Sequence, residues 1–489
     1  METAMPNHFV RRPFTFPRLL AAVTALPLLL ALGACDRSLP PDELIADARR
    51  YREHKDPKAA IIQLKNVVQQ QPDHAAARLM LGQIYLETGD TASAEKELRR
   101  ARDLGVKAEE VLPSLGKAIL FQGQFQRLLN EIGEDPRNAE ALTLRGQALL
   151  GLERRDEART HFERALKLKP GLADATLGLA KVALLGEQSD QANRLVEQAI
   201  AQNPDSIDSL RLKGDMQRFG DDRAAAKKTY ERILEIKPDN VQAHIELANL
   251  AIEENRLDEA REQIKLARKA QPNNLLISYS QALLDFREKR FKSALEQVQL
   301  VLRTVPDHLP AVLLAGAVSV ALGMDTQAEQ YLGQYLQAHP NQAYATKLLA
   351  TVELRNGKRQ DAAKRTQAAL KEAPDDADLL ALAGEAEMRA RNFGQSAAYF
   401  QKASAIKPER ADLRLGHGLS RLHMGDSAKA IEELEHATAD GQGAQRAVML
   451  LVMSHLREKQ FDKALAVVDE AIGKGDSAML QNLRGTNLK

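Results

Sequence analysis

The residue best placed to do chemistry in this chain is Cys35, the only cysteine among 489 residues. A single thiol can form no disulfide within the chain and no cysteine-paired metal site. It stands directly after Leu32-Gly33-Ala34, at the end of an apolar run from Leu19 to Leu32 that follows Arg11, Arg12 and Arg18. A basic stretch, an apolar run and small residues at its end read as an address segment rather than as part of the fold. The other reactive types are dispersed. His417 and His423 are six residues apart, which puts them on different faces of a helix and separates them as metal ligands. No GxSxG, HExxH or phosphate-binding Walker loop occurs in the sequence. The sequence therefore predicts no catalytic residue, no metal, no cofactor and no small-molecule substrate, and assigns function to surfaces.

The run closing on Cys35 resembles the bacterial lipobox, in which the cysteine thiol takes a diacylglycerol before the leader is cleaved. On that reading residues 1–34 are a lipoprotein signal peptide, Cys35 is the lipidation site, and residues 35–40 are a lipidated tether. The apolar run is short and broken by Pro27, unsuited to spanning a bilayer. Without residues 1–34, which carry three arginines and Glu2, acids and bases differ by a single charge. A nucleic-acid surface needs an excess of Lys and Arg, whereas here bases alternate with acids, as in RLDEAREQIKLARK. Aromatics are 4% with no Trp, so no stacking platform exists, and nucleic acid is excluded as a partner.

The elements behind the leader are set by one unit, residues 139–170, AEALTLRGQALLGLERRDEARTHFERALKLKP. Leu142, Gly146 and Leu149, then Ala158, Phe162 and Ala165, give two apolar stripes at helical spacing, and Pro170 stops the second helix. Prolines recur at 136, 170, 204, 238, 272, 306, 340, 374 and 408, each 34 residues from the last. Ala192, Ala226, Ala260, Ala294, Ala328, Ala362 and Ser396 align on Ala158; Gly214, Gly316, Gly384 and Gly418 align on Gly146. This pattern resembles the tetratricopeptide repeat, with its small residues at positions 8, 20 and 27 and proline at 32; no tryptophan stands at position 4. The resemblance implies an all-α, right-handed superhelical solenoid of about thirteen helix-turn-helix repeats. Residues 41–138 form N-terminal repeats, of which 109–138 is irregular because its second helix, near Phe125 to Ile132, is short. Residues 139–410 form the regular array, and 411–489 the C-terminal repeats, ending in an incomplete one. After each closing proline an Asp or Asn, at 73, 205, 239, 273, 307 and 341, is expected to cap the following helix.

In tetratricopeptide repeats the peptide-binding groove is lined by first-helix positions 2, 5, 9, 12 and 13. Carried over, these give Leu177, Tyr279, Leu283, Phe286, Leu313, Leu415, Leu419, Met449 and Met453, either extra packing against neighbouring helices or a groove for an amphipathic or extended peptide. The Lys and Asn pair of the family's carboxylate clamp is missing, since Lys347 is followed by Thr351. The chain is similar to a narrower group, the repeat lipoproteins found with exosortase and PEP-CTERM sorting in Gram-negative bacteria. That similarity rests on the lipobox-like run, LPPDELIADARRYREHKDPKAAIIQLKNVVQQQP and the following repeat. It implies a non-enzymatic scaffold, lipid-anchored and facing the periplasm, whose partners are proteins or peptides of the envelope sorting and polysaccharide machinery. The alternative is an assembly lipoprotein for polysaccharide export through an outer-membrane porin. Asp36 leaves the choice between inner and outer membrane open.

Overall fold

The computed structural model describes residues 39–437, 444–474, 481 and 484. Cys35 and the expected leader lie outside them, as does nearly all of the expected incomplete last repeat. Every element among the described residues is an α-helix, and the helices come in pairs.

The chain divides into two compact units at Pro204 and Asp205. The first holds five pairs: α1 (Pro41–Glu53) and α2 (Pro57–Gln70), α3 (Ala75–Glu87) and α4 (Thr91–Asp103), α5 (Ala108–Phe121) and α6 (Phe125–Ile132), α7 (Ala139–Gly151) and α8 (Arg155–Leu168), α9 (Ala173–Leu185) and α10 (Ser189–Gln202). The second holds eight: α11 (Ile207–Phe219) and α12 (Arg223–Ile236), α13 (Val241–Glu253) and α14 (Leu257–Ala270), α15 (Leu275–Arg287) and α16 (Phe291–Thr304), α17 (Leu309–Ala321) and α18 (Asp325–Ala338), α19 (Ala343–Arg355) and α20 (Arg359–Ala369), α21 (Ala377–Arg389) and α22 (Phe393–Ile406), α23 (Ala411–His423) and α24 (Ser427–Ala437), α25 (Ala444–Arg457) and α26 (Phe461–Lys474). Thirteen pairs follow among the described residues, the number expected from the period.

Local chemistry explains the boundaries. In α8, Asp156 and Glu157 lie in the first turn and Lys167 in the last, complementing the helix dipole, while Ala158, Phe162 and Ala165 are buried. The turn between the two helices of a pair needs one residue with positive φ. Glycine fills it at 89, 123, 323, 357 and 425, but Lys55, Glu153, Glu187, Asp221, Asn255, Lys289, Arg391 and Lys459 occupy it elsewhere. The turn between pairs departs from expectation. The caps are His74, Ser206, Asn240, Asn274, His308 and Gln342, one residue beyond the expected Asp or Asn. Proline and its successor are consumed in the turn, so the next residue is the first to reach the extended backbone that a cap requires. Asp73 and Asp205 instead accept from Arg100 (2.6 Å) and Arg232 (3.0 Å).

Packing inside a pair rests on a small residue facing a large one. A β-carbon added to Gly146 would stand 2.6 Å from the Phe162 ring, and one on Gly178 would strike the same ring from the next pair. Gly384 and Gly416 enclose Phe400 in the same way, while Gly214 faces Tyr230 and Gly316 faces Leu332. The irregular repeat has a different solution. Its second helix, α6, has 8 residues and ends at Gly133. Arg145 of α7 donates to the carbonyls of Leu129 (3.3 Å), which also accepts from the Gly133 N–H, and of Gly133 (2.5 Å), an acceptor that a longer helix would have paired internally. Glu131 of α6 accepts from Arg99 (2.6 Å) and Arg102 (2.7 Å) of α4, and Arg127 pairs with Glu95 at 2.5 Å.

Candidate functional site

Within each unit the first helices of successive pairs lie against one another, as α7 does against α5 and α9, and α17 against α15 and α19. One face of each is buried on its second helix, which leaves the opposite faces as a continuous surface. That surface is where the candidate residues fall, and the two units treat it differently.

In the first unit it is only partly covered, since Leu184 and Leu185 at positions 12 and 13 of α9 stay exposed. Lys117 of α5 and Asp174 of α9 form an ion pair at 3.2 Å across the intervening α7, and Thr143 of α7 is buried with its hydroxyl on the Ala139 carbonyl. Leu177 is only 4% exposed and belongs to the interior, a correction to its expected place in a groove. The reason is that α9, ADATLGLAKVALL, is apolar around most of its circumference, so position 5 packs as core.

In the second unit the surface is half open. Tyr279, Leu283 and Phe286 of α15 are half-buried against a core cluster that includes Ala294, Val298 and Leu314, and Leu313 of α17 rests similarly on the cluster around Leu332 and Leu349. The Tyr279 ring meets His308 edge-on at 5.4 Å, and Phe286 lies 5.7 Å from Phe291. Burial pushes the Tyr279 phenol above its ordinary value, so it remains a neutral hydrogen-bonding group. Leu415, Leu419 and Met449 are half-buried too, whereas Met453 is 58% exposed. The expected groove residues of this unit thus combine both readings: they pack on the adjacent helices and still present an edge.

Positions 2 and 13 supply residues that the apolar selection passed over. Leu276 and Tyr344, both at position 2, are 42% and 44% exposed. Arg287, at position 13 of α15, is exposed and forms no ion pair among the described residues; its charge is felt by the Tyr344 phenol. The 34-residue register was enough to find all three, had polar and edge positions been followed as closely as apolar ones. Lys347, at the place of a clamp lysine, donates at 2.9 Å to Asp376, whose other oxygen caps α21. Its charge is committed to joining two repeats.

Several polar groups inside the helices are paired in the same local manner, whereas the Thr346 hydroxyl and His417 Nδ1 make no hydrogen bond among the described residues. Asp285 is 1% exposed and accepts from Arg290 (2.5 Å), Ser293 (2.5 Å) and Gln281 (2.9 Å). Glu353 takes three bonds from Arg365. His417 is buried, 3.2 Å from Glu433 through Nδ1, while its Nε2 accepts from Arg421. Burial lowers its affinity for a proton. Among the described residues, no cluster of three or more His, Cys, Asp or Glu could hold a metal ion. No described helix is long and apolar enough to cross a membrane.

Comparison with known proteins agrees with this architecture. One tetratricopeptide-repeat family model matches residues 51–112, 149–215 and 221–284, and a second matches 347–411 and 415–478. No curated protein matches the chain. Among solved structures, the anaphase-promoting complex hetero-tetramer Cut9-Hcn1 is similar at 16% identity and a TM-score of 0.49, over 94% of this chain and 98% of that one. A tetratricopeptide repeat protein from Parabacteroides merdae is similar at 18% identity and a TM-score of 0.36, over 50% and 97% respectively. The type IV pilus biogenesis factor PilW gives 18%, 0.38, 42% and 96%. With matched repeats along most of the described residues, folded as the helix pairs that such repeats form, this chain is a tetratricopeptide-repeat protein.

Proposed function

We propose that the chain is a membrane-anchored scaffold of the Gram-negative envelope, recruiting proteins of the exosortase and PEP-CTERM sorting system and of exopolysaccharide production. The coarser part of this reading, a protein-interaction scaffold, follows from the repeats themselves. The observation that carries the rest is the Leu32-Gly33-Ala34-Cys35 run placed a few residues before the first repeat. A lipid on Cys35 would hold the array at a membrane surface facing the periplasm, with Asp36 to Pro40 as tether. Diacylglycerol with an added amide-linked chain gives the two or more acyl chains that stable anchoring needs. Two experiments test it. Labelled palmitate should enter the wild-type chain and not Cys35→Ala, and the variant should leave the membrane fraction after a salt wash; retention of the variant would end the anchor assignment. Deleting the gene should impair sorting of PEP-CTERM proteins. Loss of exopolysaccharide with normal sorting would instead favour an assembly lipoprotein for polysaccharide export.

A further inference from the structure

Away from the first-helix surface, the second helices α16 and α18 enclose a cleft of about 540 Å³, lined by Gln299, Leu302, Arg303, Pro306, Tyr331 and Gln334. No lining residue is acidic; Asp307, in the turn beyond Pro306, is not among them. Arg303 is exposed, its Nε reaches the Gln299 carbonyl at 3.4 Å, and no carboxylate pairs with its guanidinium among the described residues. Gln334 donates its amide nitrogen to the Pro306 carbonyl at 3.2 Å, which leaves its oxygen to accept. Tyr331 is half-buried on the core cluster that holds Val298 and Leu314. The steps to either side lack this set. At the same register positions α14 and α16 carry Lys265, Lys269, Gln297 and Leu300, and α18 and α20 carry Gly333, Gln337, Arg365 and Ala368, with no aromatic ring in either.

We infer that this cleft is a binding site for an acidic saccharide, with a uronate unit resting on Tyr331 and its carboxylate on Arg303. The inference goes beyond the scaffold reading and stands without it. A planar guanidinium with no internal partner pairs a carboxylate by two charge-assisted hydrogen bonds. Sugar hydroxyls both donate and accept, as do the carboxamides of Gln299 and Gln334. The Tyr331 ring supplies the apolar surface that covers the C–H side of a pyranose, and core packing holds it in place at little further entropic cost. The volume falls within the roughly 300–1,000 Å³ of small-ligand sites. An acidic peptide fits less well. It would bring backbone N–H and C=O groups to walls made of helices, whose own backbone groups are paired internally.

The test is saturation-transfer NMR and calorimetry on the purified chain with a galacturonate trimer, beside maltotriose as the neutral sugar and hexaglutamate as the acidic peptide. The galacturonate trimer should bind best, and its affinity should fall as salt rises. Arg303→Gln should weaken it by about tenfold or more. Tyr331→Leu, which keeps an apolar group against the core, should weaken it as well. Arg303 is exposed and outside every core cluster, so Arg303→Gln should melt as the wild type does, which separates a lost site from a lost fold. Galacturonate bound no more tightly than maltotriose, or bound equally by Arg303→Gln, would overturn the site. Hexaglutamate bound as tightly as the trimer, and lost with Arg303→Gln, would overturn the saccharide in favour of an acidic peptide.

Discussion

Phe162 sits between Gly146 of its own pair and Gly178 of the next, and the ring fills the volume that both side chains would need. Gly146→Leu should therefore cost about 1–3 kcal/mol by overpacking, measured by denaturant unfolding. Adding Phe162→Ala should recover part of that loss, because the two changes share one space. At exposed Arg155, whose guanidinium donates to the Leu185 carbonyl at 2.9 Å, a change to Leu should stay within about 0.5 kcal/mol. The reverse logic applies to Glu153, whose φ is 61° in a turn where other repeats use glycine. Glu153→Gly should stabilise by about 0.5–1 kcal/mol, the cost of a side chain in that backbone region less the entropy that glycine gains when unfolded. The glycine contact was legible from the recurrence of small residues opposite large ones. Leu177 was not, because a position in a repeat does not say how much of its helix is apolar, and that decided its burial.

At the scale of the element, α6 shows how a helix of 8 residues persists where its described counterparts have 11 to 14. Its apolar stripe, Phe125, Leu128, Leu129 and Ile132, packs on a core cluster of the first unit, and charge adds to that hold. Burial pushes the Glu131 carboxyl up, but hydrogen bonds from Arg99 and Arg102 together outweigh it and keep the group below its ordinary value. A carboxyl lowered in the folded state stabilises above its unfolded pKa, and that contribution is lost as pH falls through the folded value. Glu131→Gln should therefore destabilise the chain at neutral pH by about 1–2 kcal/mol. The gap between variant and wild type in thermal melts should close in acid, below pH 4.5; a gap independent of pH would show that Glu131 acts by packing. The short helix was visible in the sequence as a slip of the period. Its support was not, since Arg99, Arg102 and Arg145 reach it from neighbouring repeats and no local pattern marks such partners. The caps were displaced by one residue for a related reason: proline fixes where a helix stops, but the turn geometry decides where the next begins.

At the scale of the whole molecule, described helices contact mainly their own pair and the adjacent pairs, so stability is built from local terms rather than from one core. Such an array has no reason to unfold as one cooperative block, and the chain already divides into two compact units at Pro204 and Asp205. Denaturant unfolding should therefore proceed in more than one phase. Each phase should have a slope smaller than a single transition of the entire chain would require, because the slope scales with the surface exposed in that step. The decisive measurement places matched lesions in each unit. Gly146→Leu should accelerate hydrogen exchange in α7, α8 and their neighbours within residues 39–204, whereas Gly316→Leu, which would strike Leu332, should do so around α17 and α18 in the second unit. Equal loss of protection across both units from either substitution would mean that folding free energy is shared along the whole chain. Confined losses would instead allow one unit to open while the cleft between α16 and α18 keeps its shape.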